Sequence, residues 1–177
     1  MQWPRYWTEW DTVYAKSSKQ SLKKIPETDD IFENIKSKDR KGEIGVKRLS
    51  IDCKATVNIG DYSRNVTTRG NIKANDHDMG CEEKYVPCGI VDEDTGRLHI
   101  FFGSSYKTSD FIVDSLEDWW TDMTPQNQKN IQAIQLKIDN GPESSGVRTQ
   151  FLHRMVEFAD RIGKPIQLLY YPPYHSK

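Results

Sequence analysis

Through residues 49–59 apolar and polar positions alternate without a break. Leu49, Ile51, Cys53, Ala55, Val57 and Ile59 are apolar or small, while Ser50, Asp52, Lys54, Thr56 and Asn58 are polar. A period of two sends successive side chains to opposite faces, so this segment predicts a strand with one buried face. Residues 86–91 and 98–102 predict two more strands, and the turn formers Asp92-Glu93-Asp94-Thr95-Gly96 between them predict a hairpin. The period then lengthens. Behind a capping hydroxyl of Thr108 or Ser109, the residues Phe111, Ile112, Leu116, Trp119, Trp120 and Met123 recur at helical spacing, and Pro125 follows their end. Residues 133–138 predict a strand, and residues 145–162 a second helix with Phe151, Leu152, Met155, Val156, Phe158, Ala159 and Ile162 as its buried stripe. Gly163 suits the helix end, Pro165 forbids continuation, and a last strand over 166–171 stops at Pro172-Pro173.

Upstream, Trp3, Trp7, Trp10 and Tyr14 mark one face of a short helix. Such a stripe packs on a core or a partner; stacking on DNA bases is its other use. The chain thus divides into an amino-terminal helical arm, residues 1–47, and a domain, residues 48–177. The domain runs three strands, helix, strand, helix, strand. Antiparallel pairing first and strand–helix–strand units afterwards give an α/β architecture. That order is similar to a ribonuclease H-like mixed sheet flanked by helices. In such a sheet the first strand lies beside the strand that follows the first long helix.

Composition narrows the picture modestly. The 177 residues suit one domain, with 36% hydrophobic and 29% charged positions. No apolar run approaches the roughly 20 residues that span a bilayer, and the opening Met1-Gln2-Trp3-Pro4-Arg5-Tyr6-Trp7 lacks a secretion signal. Three cysteines, Cys53, Cys81 and Cys88, give no disulfide framework and favour a reducing cytoplasm. The net charge of −1 is no signature of nucleic-acid binding, although residues 1–50 hold 11 Lys and Arg against 8 Asp and Glu.

Candidate chemistry rests on two carboxylates. Asp52 lies on the polar face of the first strand, and Asp139 ends the strand Ile134-Gln135-Leu136-Lys137-Ile138. Two strand-borne acids far apart in sequence suit a metal-dependent phosphoryl-transfer site, with Mg2+ or Mn2+ held by oxygen ligands. The same residues also suit a solvated strand position and the start of the turn Asp139-Asn140-Gly141-Pro142. The pattern alone leaves both readings open. His77, Cys81 and Cys88 lack paired spacing and a clear fourth ligand for zinc, and no phosphate-cradling glycine loop is present. Lys54, Lys107 and Arg148 flank the acids, and His175 lies near the end; each suits ordinary surface solvation or, as a candidate DNA contact, a phosphate.

The residues from Lys137-Ile138-Asp139-Asn140-Gly141-Pro142-Glu143-Ser144-Ser145-Gly146 to Arg148-Thr149-Gln150-Phe151 resemble the second-acid region of ISAzo13-type DDE transposases. Leu49-Ser50-Ile51-Asp52-Cys53-Lys54-Ala55 resembles that family's first-acid strand, and Ile166 to Lys177 is similar to the strand before its third acid. Phe102-Gly103-Ser104-Ser105, Lys107 to Ile112 and Lys24 to Asp29 extend the likeness over residues 22–177. The resemblance implies a catalytic core of the retroviral-integrase superfamily, with Asp52 and Asp139 as catalytic metal ligands, two Mg2+ or Mn2+ ions in the complete enzyme, and DNA as transposon ends and target. The family's third acid, a Glu, and the helix-turn-helix region before its core have no counterpart in residues 1–177. The resemblance therefore implies a carboxy-terminally truncated core, inactive alone, that assembles with itself or an intact transposase in the bacterial cytoplasm, at the nucleoid when on DNA. Glu143, as the start of the following helix, is not expected to replace the third acid. A non-catalytic DNA-binding or oligomerising remnant is the alternative expectation.

Overall fold

The computed structural model describes residues 26–60, 81–104 and 106–172. The aromatic stripe of residues 3–14, His77 and His175 lie outside them, and Cys81 is described in its backbone alone. The elements in chain order are α1 (Thr28–Lys38), β1 (Val46–Cys53), β2 (Val57–Gly60), β3 (Cys81–Asp92), β4 (Leu98–Gly103), α2 (Ser109–Thr121), α3 (Pro125–Asn130), β5 (Ala133–Ile138), α4 (Thr149–Ile162) and β6 (Ile166–Tyr170).

The six strands form one mixed sheet. Residues 88–91 of β3 pair antiparallel with both β1 and β4, so those two strands flank β3. On the other side of β1, β5 pairs parallel to it, and β6 pairs parallel to β5. The resulting order β4-β3-β1-β5-β6, with β3 reversed, is ribonuclease H-like. The first strand and the strand after the first long helix are indeed neighbours.

One apolar face of the sheet meets α2 and α4. Leu49 and Ile51 of β1, Cys88 and Ile90 of β3, and Ile134, Leu136 and Ile138 of β5 join Ile112, Leu116 and Trp119 of α2 and Phe151, Met155 and Phe158 of α4 in a single core. The expected helical stripes hold except at Val156, which is exposed. Trp119 is buried, and its neighbour Trp120 packs beside it with ring centroids 6.3 Å apart. The two helices are also laced by charge: Arg154 of α4 pairs with Asp110, Asp114 and Glu117 of α2.

Helix α2 starts where its cap dictates. The Thr108 hydroxyl accepts a hydrogen bond from the Phe111 N–H at 3.1 Å, satisfying a donor that the first turn leaves unpaired. Thr108→Ala is expected to cost about 1 kcal/mol, read as a lower urea midpoint at unchanged slope. At the end of α4, Gly163 adopts φ 64°, the left-handed conformation glycine tolerates, as its position predicts.

Three departures from the periodicity have physical causes. The predicted strand over 49–59 is broken into β1 and β2, because residues 54–56 face only residues 86 and 87 of β3. The Lys54 N–H donates to the Pro87 carbonyl at 3.0 Å, but proline has no N–H to return, and a bulge forms there. The extra residue reverses the alternation, so Val57, expected on the apolar face, is 47% exposed. Helix α4 begins at Thr149 rather than near residue 145, because bonds from Ser144 N–H to Gly141 O and from Arg148 N–H to Ser145 O hold the preceding residues in turns. Helices α1 and α3 were not legible as apolar stripes: α1 buries only Thr28 and Ile35, and α3 buries nothing.

Helix α1 and the turn after it cover the polar face of β1 and β5. Gln135 donates to the Lys38 carbonyl at 2.8 Å and accepts from the Arg40 N–H at 3.2 Å. Arg48 grips both oxygens of Asp39 at 2.8 Å and reaches Glu93 at 2.7 Å. Lys137 pairs with Asp39 at 3.1 Å and Glu93 at 2.7 Å. All six positions of β5 are consequently buried, including the polar ones.

Candidate active site

The parallel register of β1 and β5 ends with Ile51 opposite Ile138. One residue further on each chain stand Asp52 and Asp139, at the same end of adjacent strands. Both line one small cleft with Ile51, Cys53, Lys107, Ile112 and Ile138. Their side chains are 21% and 29% exposed, open enough to meet a ligand from solution. Opposite Asp52 on β3 stands Gly89, which places no side chain beside the carboxylate.

Cations already face both acids. The Lys54 ammonium pairs with Asp52 Oδ2. The Lys107 ammonium lies 3.8 Å from Asp139 Oδ2 and 3.8 Å from Glu143 Oε2. Arg148 is exposed and donates from Nε to the Ser109 hydroxyl at 3.2 Å. Lys54 and Lys107 thus sit on the candidate acids, whereas Arg148 braces the turn beyond Asp139 against α2.

Beside Asp52, the Cys53 side chain packs against the apolar core, where its cross-strand partner Cys88 is buried. The neighbouring Cys88 thiol, with burial, pushes the Cys53 thiol above its ordinary range. Among the described residues no group of three or more His, Cys, Asp and Glu side chains is arranged to hold a metal.

Two residues of the site were not legible from pattern. Glu143 belongs not to a helix start but to the turn ahead of α4, where its carboxylate shares Lys107 with Asp139. Ser144 is fully buried, and its hydroxyl lies 2.9 Å from Asp139 Oδ1. The turn formers of 140–146 were the available signal, since such a cluster delays a helix start. Gly146 also has a steric reason: a Cβ there would stand 3.3 Å from the Tyr170 ring.

Among the described residues no helix is long and apolar enough to cross a membrane. Comparison with solved structures finds the Mos1 strand transfer complex, at 12% identity and a TM-score of 0.47, covering 84% of this chain and 41% of that one. The simian T-cell lymphotropic virus intasome bound to PP2A regulatory subunit B56 gamma matches at 16% identity and 0.43, covering 76% and 37%. The magnesium complex of the HTLV-2 integrase catalytic core domain matches at 14% and 0.39, covering 72% and 63%. The chain therefore spans about two-fifths of the first two structures. No curated protein sequence gives a significant match. The model of the Rhodopirellula transposase DDE domain matches residues 12–177, nearly the whole chain and both carboxylate strands, so the chain belongs to that family of DDE transposase domains.

Proposed function

We propose that residues 48–177 form the catalytic core of a DDE transposase and that residues 1–47 are its amino-terminal arm. In this reading Asp52 and Asp139 are the catalytic metal ligands for DNA strand cleavage and strand transfer in transposition. The observation that carries it is the pairing of two carboxylates at the same end of parallel neighbours, on one cleft. Both are hard oxygen donors and both remain partly exposed, which suits Mg2+ or Mn2+ with retained water. Two such ions, when bound, activate the attacking oxygen and stabilise the leaving one in phosphodiester chemistry.

The chain's own residues then divide the work. Asp52 and Asp139, which line the same cleft, would hold the ions through their carboxylate oxygens. Lys54, Lys107, Arg148 and His175 contact phosphates of the transposon ends and target. Lys107 lies 3.8 Å from both Asp139 and Glu143, so Glu143 can keep it beside the cleft when Asp139 turns to the metal. A second copy, or an intact transposase, is the natural assembly partner, in the cytoplasm and at the nucleoid.

The test combines Mn2+ titration with nicking of a labelled duplex. Mn2+ should bind, and any nicking should vanish in EDTA. A folded chain that binds no Mn2+, or one that nicks equally well in EDTA, overturns the reading. Salt-sensitive duplex binding without Mn2+ binding would instead support the non-catalytic DNA-binding or oligomerising role.

A further inference from the structure

We infer that Ser144 is the positioning residue for Asp139: its buried hydroxyl holds the carboxylate in one orientation, with Oδ1 engaged and Oδ2 turned to the cleft. The functional meaning rests on the metal role proposed for Asp139, whereas the hold itself rests on geometry alone.

The Ser144 oxygen lies 2.9 Å from Asp139 Oδ1 and 3.0 Å from the Asp139 carbonyl. A hydroxyl has one proton to give, and a charged carboxylate accepts it more strongly than a carbonyl. With Ser144 at 0% exposure, no water competes for that proton. The other oxygen, Oδ2, is the one that meets Lys107, which lines the cleft. Position 141 keeps that oxygen clear, because a Cβ on Gly141 would come within 3.1 Å of Oδ2.

Ser144 is itself held. The Ser109 hydroxyl, buried at the start of α2, donates to the Glu143 carbonyl at 2.6 Å and accepts from Arg148 Nε at 3.2 Å. The Asn140 side chain accepts from the Gly146 N–H at 3.3 Å. Residues 140–148 are thereby clamped to the packed helix, and Ser144 transmits that rigidity to Asp139. Released from that bond, the carboxylate samples other χ1 wells as well as its broad terminal torsion. A ligand left to rotate binds metal weakly, and losing the outer-shell partner of a metal ligand typically costs about 10–100-fold in affinity.

The experiment uses the full chain and Ser144→Ala, with Ser145→Ala and Asp139→Asn as controls. Three-bond couplings of the Asp139 β-protons in the metal-free protein come first. They should report a single rotamer in the parent and in Ser145→Ala, and averaged rotamers in Ser144→Ala, with amide resonances outside 139–148 unmoved. Mn2+ affinity, by titration calorimetry, should fall about tenfold or more in Ser144→Ala and stay unchanged in Ser145→Ala. A single rotamer surviving in Ser144→Ala, or rotamers already averaged in the parent, overturns the hold. Averaged rotamers with Mn2+ affinity at the parent's value overturn its role in metal binding. Mn2+ binding untouched by Asp139→Asn sinks the metal reading instead, and the couplings still judge whether Ser144 orients the carboxylate.

Discussion

Exchange of Asp139 for Asn is expected to weaken Mn2+ binding by about a hundredfold or more and to remove any metal-dependent nicking. Asn keeps the side-chain shape and still offers Ser144 an acceptor, so the turn around residues 140–146 should persist. What it loses is charge, because a neutral carbonyl oxygen replaces a carboxylate oxygen on a hard cation. Loss of a ligand should exceed the roughly 10–100-fold penalty seen when only an outer-shell partner is lost. Asp52→Asn is expected to behave alike. Neither side chain belongs to the core, and both are partly solvated, so thermal midpoints should move little. Titration calorimetry with Mn2+, beside a melting curve for each variant, separates lost binding from lost folding. An Asp139→Asn protein that binds Mn2+ as tightly as the parent would exclude Asp139 as a ligand.

Arg48→Leu should be the most destabilising of these substitutions. The Arg48 side chain is 7% exposed and is bonded to Asp39, Glu93 and Asp94. Without it, Asp39 and Glu93, whose side chains are only 20% and 16% exposed, keep Lys137 as their remaining cation in the cluster. Removing one partner of a buried pair typically costs about 3–5 kcal/mol, since the stranded charge keeps its desolvation penalty. For a chain of this size that is a fall of roughly 6–20 °C in melting temperature, measurable by calorimetry at neutral pH. A change of a degree or two would show the cluster to be solvated and weak.

The same cluster has a pH signature. Burial works to raise the Asp39 pKa, but hydrogen bonds from Arg48 and Lys137, helped by their charges, outweigh it and hold the group below the usual carboxylate range. Asp92 behaves similarly: burial raises its pKa, and Lys47, the Thr95 hydroxyl and the Asp94 N–H together lower it further. A carboxylate with a depressed folded-state pKa binds its proton more readily when unfolded. Its contribution to stability is therefore complete above the unfolded pKa of about 4 and is lost as pH falls through the lower folded value. Melting temperature should decline on acidification through that window, and Arg48→Leu should flatten the decline.

Periodicity was sufficient wherever one face of an element is apolar. The strand at 133–138, the hairpin through residues 92–96 and the stripe of α2 were all legible, because burial of one face imposes a period of two or of 3.6 on the residues themselves. It failed where polar contacts do the positioning. Helix α1 is tied to the sheet through Lys38, Asp39 and Arg40, and no apolar period announces that attachment. The break after Cys53 was equally silent, because its cause, Pro87, lies on another strand.

By itself the sequence determined the order of the main strands and of the two long helices, the polar-face placement of Asp52 and Asp139, and a family likeness carried by local residue runs. These are properties of short stretches, set by side-chain alternation and turn chemistry. The likeness to a ribonuclease H-like sheet also implied that β1 and β5 are neighbours; only the tertiary structure decided their register, the common edge at which both acids end, and that Lys107 and Ser144 engage opposite oxygens of Asp139. Those relations join residues as far apart as 52 and 139. They depend on sheet register and on a buried turn clamped to α2, and neither leaves a periodic mark along the chain.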